Sequence, residues 1–434
     1  MRSLSIVGSL ILALPWAAYG QSASSWSTVD PGFRSVHITS SKTGLWVCGV
    51  GEGIASSEDG QHWQIKHHVD GGALLLGIGF TSDTFGYAFG TGGTVVTTTD
   101  SGATWSSKKF GAETILQASF ADPTHGIVRT RTTLAYLNGD GVLHPVQASA
   151  DVLQHFPYTM SLTSITPEKM GILLSQGQAS EAGFLTTVDG GKTWSFYDPP
   201  STGIASFLEV GGSYWASGHE VVDKDKPGGG HGVALAMSSS DGREWRHTTN
   251  DIHMCQAQTC GACTASGCLA SDSLVVNFYG DKTTYLPIPK GALTSKWASV
   301  GLHVCSIGTV LSCTTASDIK DLPAAGGPLP AEQIPPPLNA KPSPPSVLTC
   351  VLCGITPIFV DDKLEGRISV PISFTVATDG TVESVDVKDI SSPGLEKKIH
   401  DQIAQWLFEP PVQNGKPLRI STNSTLNITV MRSQ

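Results

Sequence analysis

Along most of the chain the apolar residues come in short runs closed by glycine, with polar or small residues interleaved. That is the pattern of short β-strands joined by tight turns, and it lacks the longer period of an amphipathic helix. Leu45, Trp46, Val47 and Cys48 stand between Gly44 and Gly49, and Ile54 and Ala55 follow Gly53. Tyr87, Ala88 and Phe89 stand between Gly86 and Gly90, with Val95 and Val96 following Gly93. Each pair predicts a hairpin with glycine at the turn.

These hairpins run into a recurring turn: Ser or Thr, any residue, Asp, one or two small residues, and then a Trp. Its four copies carry Asp59 and Trp63, Asp100 and Trp105, Asp189 and Trp194, and Asp241 and Trp245. Successive Trp residues lie 42, 89 and 51 residues apart, so the long interval holds two steps. Steps of about 40–50 residues made of short strands predict β-propeller blades of four strands each. The missing copy is expected at 126–141, where strand and turn character survives without the Trp. Strand pairs at 274–279 and 304–311 bring the count to six or seven blades by residue 320. In each turn the Asp accepts backbone N–H groups, the glycine takes angles a Cβ would forbid, and the Trp opens the next strand as an apolar plug, which welds the hairpin.

Past residue 320 the pattern changes twice. Residues 321–347 are rich in Pro, Ala and Gly, including Pro335-Pro336-Pro337, and predict a semi-extended linker. Alternation then returns at 368–376 and 382–387 around an Asp379-Gly380 turn, predicting a hairpin with one apolar face. Leu395, Ile399, Ile403 and Trp406 recur at helical spacing, so a helix is expected over 393–408, ending before Pro410 and Pro411. A last strand is expected over 424–431, with Leu426, Ile428 and Val430 alternating. The fold class is therefore mainly β: a propeller at 25–320, a linker at 321–347, and a small α+β domain of order β-β-α-β at 348–434.

The four turns, and above all the run from Gly90 to Trp105, resemble Asp-box (bacterial neuraminidase repeat) propellers of the photosystem II assembly factor-like branch. That resemblance implies a structural role for the boxes and a propeller fold. It implies no particular activity. The tail resembles the TonB C-terminal domain family through Val370, Phe374, Val376, Asp379-Gly380 and Val382, through Ser391 to Leu395, and through Gln405 to Pro411 with Gly415-Lys416-Pro417. The resemblance implies an outer-membrane receptor segment as the natural ligand, bound as an extended peptide. The predicted binding edge is the hairpin over 368–387 or the strand bearing Leu426, Ile428 and Val430, since strand addition needs free backbone groups at a sheet edge.

Charge and composition narrow the classes. The net charge of −10 argues against nucleic acid, which requires clustered Lys and Arg. At the N-terminus Arg2, an apolar run over 4–16 and Ala18-Tyr19-Gly20 read as an export signal over 1–20, placing the mature chain in the periplasm or outside the cell; the alternative is a retained inner-membrane anchor. Membrane association is otherwise expected only through partners. In such a compartment disulfides are the default for the 9 cysteines. Cys255, Cys260, Cys263 and Cys268 are expected to form two disulfides in a long blade loop, with a zinc cage or redox work as alternatives. Cys305 and Cys313 flank a short hairpin and suit a cross-strand bridge. Cys350 and Cys353 suit a local disulfide or a redox-active pair.

An enzyme of the sialidase kind would need three arginines gripping a sugar carboxylate, and the propeller offers only Arg34, Arg129, Arg131, Arg243 and Arg246. His67-His68 and the polar stretch 223–231 complete the candidates, the first for metal binding and the second for recognition. The reading is of an exported binding protein without catalysis, metal or cofactor, taking a protein partner and, on its propeller, a protein or glycan. A carbohydrate-active hydrolase and an envelope scaffold are the rival readings.

Overall fold

The computed structural model describes residues 27–315, 338, 348–353, 358–360, 366–413 and 416–432, apart from 178–180, 200–202, 211–212, 223–230, 248–259, 265–266, 271–272, 277–283, 288–295, 301–302 and 308–310. The proposed export signal, Cys255 and most of the proposed linker lie outside the described residues. Among the described residues, seven four-stranded antiparallel sheets follow one another before the tail. The first six take their strands in sequence order, over residues 35–67, 75–109, 117–145, 158–197, 203–247 and 260–287. The seventh uses Lys296–Val300, His303–Ile307 and Leu311–Thr315, and borrows its outer strand from the other end of the chain: Ser27–Val29 pairs antiparallel with Leu311–Thr315. The first strands of sheets one to six touch in succession, and that of the seventh touches that of the first. These are the blades of a seven-bladed propeller, closed into a ring by its N-terminal strand.

The degenerate third repeat forms a blade like the others. Leu134–Asn138 leads through Asp140, which accepts the Val142 amide (2.9 Å), into His144–Pro145. In blade 7 Cys305 and Cys313 face each other in register and are joined by a disulfide, next to the closing strand. The cysteine-rich segment differs from the expectation of a loop. Cys260 and Cys263 lie in the strand Cys260–Thr264 and Cys268 in Gly267–Ala270, with Cys263 opposite Cys268.

The four Ser/Thr-x-Asp turns join third strands to fourth strands. Ser57 and Ser239 donate to Asp59 and Asp241 (3.1 Å each), which in turn accept backbone amides from Gln61 and His62 and from Arg243 and Glu244. In blades 2 and 4 the turn is one residue longer, and Thr104 and Thr193 supply both backbone N–H (2.9 Å) and hydroxyl (2.6 Å) to Asp100 and Asp189. Those donors favour the ionised form and hold Asp100 and Asp189 at about 2, the threonine hydroxyls being the largest cause.

The turns also do something the motif alone does not announce. Gly102, at φ +85°, sits so close to Trp46 of the preceding blade that a Cβ would come within 2.0 Å of its ring. Gly191 stands in the same way against Tyr136, and Gly242 against Thr186, each one blade back. The following Trp side chains cross the same seams: Trp105 meets Trp46 edge-on at 5.8 Å, Trp194 meets Tyr136 at 6.0 Å, and Trp245 stacks on Phe184 at 4.4 Å. At the seam where the ring closes, a Cβ on Gly60 would come 3.0 Å from the Cys305 sulfur of blade 7, and Trp63 packs against a cluster shared by blades 1 and 7. Each turn therefore locks one blade to its predecessor as well as closing its own hairpin.

The tail forms a separate four-stranded sheet in the order Val382–Val387, Gly366–Val376, Ile420–Arg432, Ile358–Val360, the last pair parallel. Val370, Ile372, Phe374 and Val376 alternate onto one face and bury against Leu395, Ile399 and Ile403 of the helix Pro393–Ile403, with Ile428 and Val430. Ser392 caps the helix by accepting the Leu395 amide (3.3 Å), and Pro393 fits its first turn. The helix is shorter than the spacing predicts. It stops at Ile403, because Leu407–Phe408 turns away to pair with Cys350–Leu352 as a two-stranded ribbon.

Candidate functional site

Two features of the tail stand out: the edges of its sheet and its contact with the propeller. The last strand is not an edge along its whole length. Val430 is enclosed between Gly366 on one side and Ile358 on the other, and both Val430 and Ile428 point into the core. The expected binding edge therefore needs correcting at Val430; at Leu426 and Ile428 the described pairing is with Val370 and Ile368 alone. The outer strands of the sheet are Ile358–Val360 and Val382–Val387, the second belonging to the hairpin that the sequence also offers as an edge. Across one face of the sheet, over Val382–Val387 and its two neighbours, lies a shallow groove of about 340 Å³, lined by Ser373, Thr375, Ser384, Asp386, Ser421 and Asn423.

The contact with the propeller uses the end opposite the Ser/Thr-x-Asp turns. That end carries the connections between blades and the turns between second and third strands, including Arg34, Thr114 and Arg131. Arg34 donates to the carbonyl oxygens of Ala404 (3.5 Å) and Gln405, at the C-terminus of the tail helix, where unsatisfied carbonyls and the helix dipole favour a cation. Burial lowers the Arg34 pKa and the nearby Asp379 carboxylate opposes that shift. Arg131 donates to the Cys350 carbonyl (2.7 Å) and lies 3.9 Å from Glu409, whose carboxylate also accepts the Thr114 hydroxyl. Between these polar contacts Leu407, only 2% exposed, joins an apolar cluster of the propeller that includes Val50, Leu74 and Ile115, and Val351 packs against it.

Cys350 and Cys353 are joined by a disulfide inside this contact. The three-residue strand Cys350–Leu352 pairs with Leu407–Phe408, and both sulfurs lie near the Leu407 carbonyl, at 3.8 and 3.9 Å. One described residue of the proposed linker, Leu338, donates its amide to the Pro157 carbonyl (2.7 Å), at the connection between blades 3 and 4.

Residues 361–428 match the family described as Gram-negative bacterial TonB protein C-terminal. The match covers the TonB-like domain and leaves the propeller outside it. No curated protein matches the chain. Among solved structures, the chain is similar to YCF48 from Cyanidioschyzon merolae, at 12% identity and a TM-score of 0.36, over 68% of this chain and 100% of that one. It is also similar to PorZ of Porphyromonas gingivalis, at 10% identity and a TM-score of 0.41, over 70% of this chain and 40% of that one. A virginiamycin B lyase from Staphylococcus aureus is similar at 9% identity and a TM-score of 0.41, over 65% and 95% of the two chains.

The remaining candidates are dispersed. Arg129 is fully buried, with its pKa lowered to about 10 by burial against an opposing Glu113, while Arg34 and Arg131 face the tail and Arg243 lies in a turn at the far end. These side chains do not converge on one pocket. His67 faces Glu52 at 3.4 Å and His68 faces Asp70 at 3.1 Å, as separate pairs. No helix among the described residues is long and apolar enough to cross a membrane.

Proposed function

We propose that the chain is an exported, periplasmic interaction protein in which the TonB-like domain takes an extended peptide by strand addition and the propeller serves as a second recognition platform, for a protein or glycan. The four Ser/Thr-x-Asp turns are then Asp-boxes of the bacterial neuraminidase type, structural rather than catalytic, and the chain performs no chemistry of its own. The observation that carries this reading is the outer strand Val382–Val387, which has one sheet neighbour and contributes Ser384 and Asp386 to a groove of hydroxyl, amide and carboxylate groups on the face of the sheet. An edge strand presents unpaired N–H and C=O groups at the spacing an incoming strand requires. An outer-membrane receptor segment is the partner that the likeness to TonB suggests.

The test is capture of envelope proteins by the full-length chain, repeated with Ser384→Pro and Val385→Pro in turn. Successive residues point their N–H groups to opposite sides of a strand, so one of the two substitutions removes an outward donor. Loss of captured receptor in one variant with the fold intact supports strand addition. Equal capture by both variants and the parent sinks it.

A further inference from the structure

The docking contact is built around a disulfide, and that placement carries a consequence beyond the choice of partner. Cys350 and Cys353 close a four-residue ring whose first three residues contribute to holding the tail. The Cys350 carbonyl receives Arg131, Val351 packs on the propeller cluster, and the Cys350–Leu352 strand pairs with the strand bearing the buried Leu407. That strand is three residues long and its register already shifts between Cys350 and Leu352. A two-stranded ribbon of this length has little stability of its own, so the covalent ring supplies what the hydrogen-bonded ladder lacks. Both cysteines are half-buried.

We propose that the Cys350–Cys353 disulfide is a redox latch that holds the TonB-like domain against the arginine-bearing end of the propeller and releases it on reduction. The step needs a dithiol reductant. One thiolate of the reductant attacks a sulfur of the pair, breaking the S–S bond and forming a mixed disulfide. The second thiol of the reductant then displaces the cysteine. The reductant leaves as its own disulfide, and its two protons end on Cys350 and Cys353. The freed loop no longer presents the Cys350 carbonyl and Val351 together, and the domain detaches on its linker. The inference concerns docking only and stands whichever partner the domain takes.

Small-angle scattering of the full chain tests it. The oxidised parent should be compact. Reduction with dithiothreitol, or the double variant Cys350→Ser/Cys353→Ser, should raise the fraction of extended molecules about tenfold, the scale expected from removing a short-loop constraint. The serine variant separates this effect from opening of Cys305–Cys313, and reduction of already folded parent covers the case in which that variant fails to fold. Arg34→Ala/Arg131→Ala, with the disulfide intact, provides the released reference. If that reference expands while the reduced and serine forms stay compact, the latch is overturned. A compact reference overturns it too, because docking would then not depend on the clamp the disulfide shapes.

Discussion

At the end of the propeller that carries the Ser/Thr-x-Asp turns, cohesion comes from a device repeated four times, in which the Asp accepts donors within four residues of itself. At the other end it comes from single contacts between residues hundreds of positions apart, such as Arg131 with Cys350 and Arg34 with Gln405. The first arrangement transmits blade to blade through the glycine and Trp seams. The second joins two bodies that each possess a core of their own. Damage at the first end should therefore spread through the ring, whereas damage at the second should separate the bodies and leave each folded.

The largest effect should come from a glycine seam. Gly102 and Gly111 share φ +85°, but a Cβ on Gly102 meets Trp46 at 2.0 Å whereas one on Gly111 meets nothing within 4 Å. Gly111→Ala should cost about 1 kcal/mol, the backbone strain alone. Gly102→Ala should cost about 3–4 kcal/mol, since overpacking adds to that strain. Thermal unfolding of the two variants side by side checks this, and equal losses would mean that the seams carry no load.

Acid should also tell the ends apart. Asp100 and Asp189 are held at about 2, below the 3.8 of a free Asp. A group lowered on folding stabilises the native state above its unfolded value, and that contribution disappears as pH falls through the folded one. The propeller should accordingly lose stability between about pH 4 and pH 2, and the Asp189→Asn variant should show a shallower decline. Urea midpoints measured across that range provide the check; a parent and variant with parallel profiles would contradict it.

Much of the first end was legible in the sequence because its chemistry is local: Asp, glycine and Trp at fixed spacing imply a hairpin wherever they occur. The blade count was less so. Blade 3 has lost its Trp, and blade 7 is completed by Ser27–Val29, a pairing no local pattern encodes. The helix end at Ile403 was misjudged because Trp406 keeps helical spacing while Leu407 is claimed by Cys350–Leu352. The edge was misjudged at Val430 because alternation reveals a strand's faces and says nothing of its neighbours. Arg34 and Arg131 were visible as scarce cations, but their carbonyl partners lie in the other domain.

The smallest effect is the most discriminating for that second end. Arg34→Lys keeps the charge at the helix C-terminus and removes the planar fork that spans the Ala404 and Gln405 carbonyls. If docking rests mainly on the cation facing the helix dipole, the lysine should serve almost as well, because that attraction depends little on the shape of the donor. If it rests on hydrogen bonds to two carbonyls, docking should weaken by about 1 kcal/mol, the worth of one lost hydrogen bond, and the stability of the propeller should not change. The half-buried setting and the paired acceptors favour the second outcome. Scattering and thermal unfolding on the same sample read the two quantities separately: an extended ensemble with an unaltered propeller transition is the expected result, and a lowered propeller transition would show that Arg34 belongs to the ring instead of the contact.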